Sequence, residues 1–222
     1  MTYANEEMPG AVNGLILHPL IVRLWHWVNV FAMTIMIMSG WRIYNASPLF
    51  PGFRFPPAIT LGGWLGGALQ WHFAAMWLLV VNFVIYLVYG LSSGHFQKKL
   101  LPIRRDEVIR DLGQALRFRL THDDISIYNS VQRLAYLGVL AAIAVTILAG
   151  LAIWKPVQFQ ELAWLLGGYE GARVVHFLGM ATIVVFIILH VMLVVLVPST
   201  LRPMITGTFR PRDKSRSKGL GP

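Results

Sequence analysis

Cysteine is absent from all 222 residues. That excludes disulfides, thiolate-held iron–sulfur clusters, cysteine zinc sites and haem attached covalently through cysteine. Any metal or cofactor must therefore be held by histidine, methionine, carboxylate or backbone. Charge is scarce too: Asp, Glu, Lys and Arg together make up 13% of the chain, against 56% apolar residues. Only ten residues are acidic, and none of them falls within the long apolar runs. The first 22 residues contain two acids, no Lys or Arg, and no apolar run before Pro19, so no cleavable signal peptide is expected. The first long helix is then expected to serve as an uncleaved insertion signal.

What remains is apolar sequence gathered into blocks. A helix needs about 20 apolar residues to cross the hydrocarbon core of a bilayer, and four stretches qualify: 23–44, 69–91, 131–154 and 173–197. A further run at 57–68, "PAITLGGWLGGA", is too short and too glycine-rich to span, and reads as an interfacial or partly re-entrant piece of the first loop. The expected fold is an all-α membrane protein, a four-transmembrane-helix bundle. Residues 1–200 form its single domain, with a basic segment at 95–130 and a flexible basic tail at 201–222.

The formal charge of +9 does not point to nucleic acid, because the basic residues flank the apolar blocks. Thirteen of the nineteen lie either between the second and third spans or after the fourth, as Lys98, Lys99, Arg104, Arg105, Arg110, Arg117, Arg119, Arg202, Arg210, Arg212, Lys214, Arg216 and Lys218. Cytoplasmic loops carry such an excess, so both termini are expected in the cytoplasm. Between 104 and 120, Val108, Ile109, Leu112, Leu116 and Leu120 recur at helical spacing among charges, which predicts an amphipathic helix on an anionic lipid surface.

The fourth span contains "RVVHFLGMATIVVFIILH", in which His176 and His190 stand fourteen residues apart. Polar groups at membrane depth are costly and face the bundle interior. Fourteen residues are about four helical turns, which leaves the two side chains within about 40° of one face and about 21 Å apart along the axis. His26 in the first span and His72 in the second supply two more. Alternating span direction sets His72 level with His176 near the outer face, and His26 nearer His190 towards the inner face. Two imidazoles from facing helices hold a low-spin haem iron, and with both axial positions filled the iron favours electron transfer. Two depths are too far apart for one tetrahedral zinc site. A proton path would ordinarily add carboxylates within the spans. Gly40, Gly138, Gly150, Gly179 and Ala181 are candidates to line the rings. His18, His95 and His122 lie outside the spans, as surface residues or as contributors to a quinone site.

"RLWHW" at 23–27 followed by "SGW" at 39–41, with one histidine in each of helices one and two and two in helix four, resembles the bacterial cytochrome b561 and nickel-hydrogenase cytochrome b family. The similarity runs from about 18 to 200. It implies two b-type haems with axial ligands His26, His72, His176 and His190, in the pairs His26–His190 and His72–His176. It also implies electron transfer across the bacterial inner membrane, between a periplasmic redox subunit and membrane quinone. The basic segment after helix two is similar to the thiosulfate-reductase-type branch, whose members serve molybdopterin oxidoreductases, while hydrogenase stays open as the partner. Haem propionates need cationic neighbours: Arg23 for the inner haem, and Arg42, Arg54 or Arg173 for the outer one. Phe50, Phe53, Phe55 and Trp64 are expected to form an apolar docking platform on the outer loops, 45–68 and 155–172. The competing readings are a stand-alone quinone-linked oxidoreductase for a small oxidant such as superoxide, and a haem-free membrane anchor or transporter.

Overall fold

The computed structural model describes residues 15–16, 18–94 and 130–209. Among them run, in chain order, strand β1 (Leu15–Ile16), helix α1 (Leu20–Ala46), helix α2 (Leu65–Ser92), helix α3 (Ser130–Trp154), a short helix α4 (Gln160–Leu165), helix α5 (Gly168–Leu196), a second short helix α6 (Leu201–Thr206) and strand β2 (Thr208–Phe209). Helices α1, α2, α3 and α5 are long and apolar enough to cross a membrane. Among the described residues the protein is an all-α membrane chain with four candidate spans. The amphipathic helix expected at 104–120, together with His95 and His122, lies outside the described residues.

Apolar side chains cover the outside of these helices. On α2, Val81, Val84, Ile85, Val88 and Leu91 are exposed, and on α5 so are Val185, Ile188, Leu189, Met192 and Val195. Such stripes would be an aggregation hazard in water and are the surface that lipid requires. The buried positions are mostly small, including Ala32, Ala68, Ala75, Ala149, Ala152 and Ala172. In a membrane, helices associate through close packing of small residues rather than through hydrophobic exclusion.

Packing joins the helices as two hairpins: α1 lies along α2, and α3 along α5, while the hairpins themselves scarcely approach each other. In the first hairpin, the Asn82 amide donates to the Trp25 carbonyl at 3.1 Å and the Trp25 and Tyr86 rings stack at 3.8 Å. In the second, Gly179 lets α5 close on α3 at Thr146, since a Cβ there would fall 2.1 Å from Thr146 Oγ1.

The first and last of the loops between spans contain short helical turns. In the run at 57–68, Pro57–Ile59 make a single 3₁₀ turn, and Leu65 to Ala68 already belong to the first turn of α2. Gly62 closes the bend with φ of +103°, where a Cβ would fall 2.4 Å from the Ala68 nitrogen. The second loop holds α4, and α5 starts at Gly168, five residues before the apolar span does, after Gly167 in the left-handed region at φ +85°. A helix outlasts its lipid-facing part, so apolar length alone places its start too late.

Residues 201–209, read as part of a flexible tail, instead form α6 and β2. The Arg23 guanidinium donates to the Ile205 carbonyl, and Trp27 Nε1 donates to the Met204 carbonyl at 3.3 Å. These donors satisfy carbonyls at the C-terminal end of α6 that the helix itself cannot. Beyond them, β1 and β2 pair antiparallel, Leu15 with Phe209 and Ile16 with Thr208. That ladder ties the two ends of the four-helix unit to one side of the bundle.

Candidate haem-binding sites

The four span histidines form two pairs across the space between the hairpins. His72 on α2 faces His176 on α5, with ring centroids 6.3 Å apart, and His26 on α1 faces His190 on α5 at 6.1 Å. The ring planes cross at 64° in both. The first pair sits towards the loops between spans and the second towards the paired ends. Helix α5 thus supplies one histidine to each. Among the described residues, no group of three or more His, Asp or Glu converges on a metal-sized point.

Helix surroundings fix the loop-side pair. His72 Nδ1 is 3.0 Å from Ser39 Oγ, and His176 Nδ1 is 2.9 Å from the Thr146 carbonyl oxygen. Each ring lies against a glycine of the neighbouring helix. A Cβ on Gly40 would stand 3.4 Å from His72 Cε1, and one on Gly150 would stand 3.2 Å from His176 Cε1. Of the four glycines expected to line the rings, Gly40 and Gly150 touch imidazole, Gly179 accommodates Thr146, and Gly138 has open space around it. Aromatic rings surround the other pair: Phe186 stacks on His190 at 5.8 Å and 9°, and Trp27 meets His26 edge-on at 5.3 Å.

The fit to haem rests on distance. A metal–imidazole bond of about 2 Å, with the ring centre about 1 Å beyond the nitrogen, sets two axial rings on one iron about 6 Å apart. Both pairs have that separation. The loop-side rings also turn Nδ1 to a protein partner and so leave Nε2 for a metal. Several buried polar atoms lack a protein partner, namely Arg23 Nε, Trp25 Nε1, Asn29 Oδ1 and Trp41 Nε1. Buried polar atoms are ordinarily satisfied, and these four all belong to α1, which supplies His26. The facing imidazoles suit a planar, metal-centred group held between them.

Residues 17–207 match the sequence profile described as "Prokaryotic cytochrome b561". The chain belongs to the prokaryotic cytochrome b561 family. Membership makes it a membrane electron-transfer protein carrying b-type haem. Among relatives, it is 55% identical over 191 residues to the "Putative protein-methionine-sulfoxide reductase subunit YedZ1" of Azospira oryzae, covering 86% of this chain and 96% of that one. It is 24% identical over 189 residues to the "Probable Ni/Fe-hydrogenase B-type cytochrome subunit" of Azotobacter chroococcum, covering 78% and 76%. A Rhodobacter capsulatus protein with that same description is 28% identical over 188 residues, covering 77% and 70%.

This b561-family chain uses its arginines differently from the sequence expectation in two places. Arg173 is already engaged, donating to Glu170 at 2.8 Å and to the Ser47 carbonyl and hydroxyl, so it braces α5 against the end of α1. The Arg23 guanidinium grips α6, which leaves its buried Nε as the unpartnered part. Arg42 and Arg54 instead line a cavity of about 310 Å³ beside Asn45, Phe55 and Leu65. The expected apolar platform is partial. Phe50, Phe53 and Trp64 are exposed, whereas Phe55 stacks on Trp41 at 4.7 Å and both its backbone groups bond to Asn45 at 2.8 Å. Ser39 and Thr146 had no place in the sequence expectation as histidine partners. Only Ser39 leaves a residue-type signal, a helix-interior hydroxyl beside Gly40, because Thr146 meets His176 through its backbone carbonyl.

Proposed function

We propose that the protein is a di-haem b-type cytochrome that carries electrons across the bacterial inner membrane between a periplasmic redox partner and the quinone pool. His72 and His176 hold the outer iron, and His26 and His190 the inner one. Haem bound at these sites would supply two one-electron centres at two depths of one bundle. The chain contributes their spacing, their axial ligands and a lipid-sealed interior. Carrying this reading is one observation: two imidazole pairs, each about 6 Å between ring centres, set at two depths by one helix.

Orientation in this reading follows the thirteen basic residues near 98–119 and 202–218, which keep both termini cytoplasmic. The partner is a periplasmic reductase in preference to a hydrogenase. Identity of 55% to the methionine-sulfoxide reductase subunit, against 24% and 28% to the hydrogenase subunits, supports that choice. Quinol is then the electron source, and electrons leave towards the outer loops, where Phe50, Phe53 and Trp64 offer exposed apolar surface.

Reduced-minus-oxidised spectra and haem quantitation of the purified protein test this directly. Two b-type haems per chain are expected. His190→Ala should remove the inner haem and spare the outer. Unchanged haem content in that variant would refute the pairing, and a protein without b-type absorbance would refute the function.

A further inference from the structure

The four imidazoles are held in two different ways. Both rings of the outer pair have a partner at Nδ1, at 3.0 Å for His72 and 2.9 Å for His176. Among the described residues, no hydrogen bond reaches a ring nitrogen of His26 or His190. The Thr146 carbonyl only accepts, so His176 Nδ1 carries the proton and its lone pair is at Nε2. Ser39 reaches the same result by another route. Its hydroxyl donates to the Ile35 carbonyl at 2.6 Å, which leaves the oxygen's lone pair facing His72. His72 Nδ1 is then a donor too, and its Nε2 is free for a metal.

Two further observations make Ser39 more than a local hydroxyl. It is fully buried, so its bond to His72 is not weakened by water. The His72 ring also lies against Gly40, where a Cβ would stand 3.4 Å from its Cε1, and Ser39 links it to the Met36 carbonyl, the second acceptor beside the ring, at 3.3 Å.

We propose that Ser39 is a positioning residue for the outer haem: with the Thr146 carbonyl it preorganises the His72–His176 pair, and it holds that haem at a more negative potential than the two histidines alone would set. An imidazole that donates from Nδ1 is a more basic ligand and stabilises the more positively charged ferric iron. The proposal rests on the di-haem reading above. Outer-shell partners of this kind alter metal affinity about 10–100-fold. A tenfold difference between the ferric and ferrous states corresponds to about 59 mV for a one-electron couple.

The experiment is a potentiometric reduction of the full-length, haem-loaded protein, followed by haem absorbance, in wild type, Ser39→Ala and Ser39→Thr. Expected are two haems per chain throughout. In Ser39→Ala one midpoint potential should rise by about 59 mV, a tenfold effect, and Ser39→Thr should return it. Repeating Ser39→Ala in the His190→Ala background should show the same rise in the remaining haem. Two haems with both potentials unmoved, or both moved equally, would overturn the proposal. So would a shift that threonine fails to reverse, since that marks packing alone. If Ser39→Ala sheds the outer haem, Ser39→Cys, with a weaker acceptor of similar size, decides: a partial rise supports the proposal and an unshifted potential overturns it. A wild-type protein lacking haem would instead refute the reading on which the inference stands.

Discussion

Replacing four glycines by alanine, one at a time, should affect haem content in the order set by the space around each. Around Gly138 a Cβ meets nothing within 4 Å; at Gly40 it stands 3.4 Å from His72 Cε1, at Gly150 it stands 3.2 Å from His176 Cε1, and at Gly179 it would fall 2.1 Å from Thr146 Oγ1. Alanine favours the helix by about 1 kcal/mol over glycine, so Gly138→Ala should retain both haems and resist heat slightly better. Gly40→Ala stays near ordinary contact and should keep both haems. At Gly150, carbon atoms want about 3.5–4.0 Å, so the His176 ring must retreat by about half an ångström. Metal–ligand distances tolerate about 0.2 Å, and the ring is anchored on its other side by the Thr146 carbonyl. Gly150→Ala should therefore lower outer-haem occupancy by an order of magnitude at limiting haem. Gly179→Ala pushes Thr146, whose carbonyl holds His176, and should be at least as damaging. Haem per chain, read from the absorbance of the alkaline pyridine adduct, with thermal unfolding as a control, measures the series. Equal haem content in Gly138→Ala and Gly150→Ala would refute the claim that the glycines make room for axial rings.

Two other variants probe the supports. Asn45→Ala removes two 2.8 Å hydrogen bonds to the Phe55 backbone. At about 1 kcal/mol each, hydrogen exchange at the Phe55 amide should accelerate about 30-fold, with haem content unchanged; unaltered exchange would mean that the Trp41 stack alone holds the loop. Arg23→Ala removes the donor to the Ile205 carbonyl. Thermolysin should then cut before Ile205 about tenfold faster in inside-out vesicles, while both haems stay. Loss of the inner haem without faster cleavage would show that Arg23 serves the haem instead of α6.

The four spans were legible because bilayer thickness imposes a length that composition alone reveals. The histidine pairing was legible because helical pitch converts an interval of fourteen into one face and two depths. The histidine partners were not. Ser39, Thr146, Thr34 and Thr182 all send their hydroxyls back to the carbonyl four residues earlier, at Ile35, Ala142, Val30 and Leu178. Within their own helix the four are alike, and only the neighbouring helix separates those that meet a histidine from those that do not. Helix α6 was hidden for a related reason. Six residues carry no periodic signal, and α6 exists because Arg23 and Trp27, at the far end of the chain, supply its missing donors.

Helix α5 holds one histidine of each pair, and this has a consequence for biosynthesis. During vectorial translation α1, α2 and α3 emerge first, bearing His26 and His72 without their counterparts. Neither pair exists until the last membrane helix is being made. A chain stalled or truncated before residue 168 would carry neither facing pair, and one ending between 176 and 190 would carry the His72–His176 pair alone.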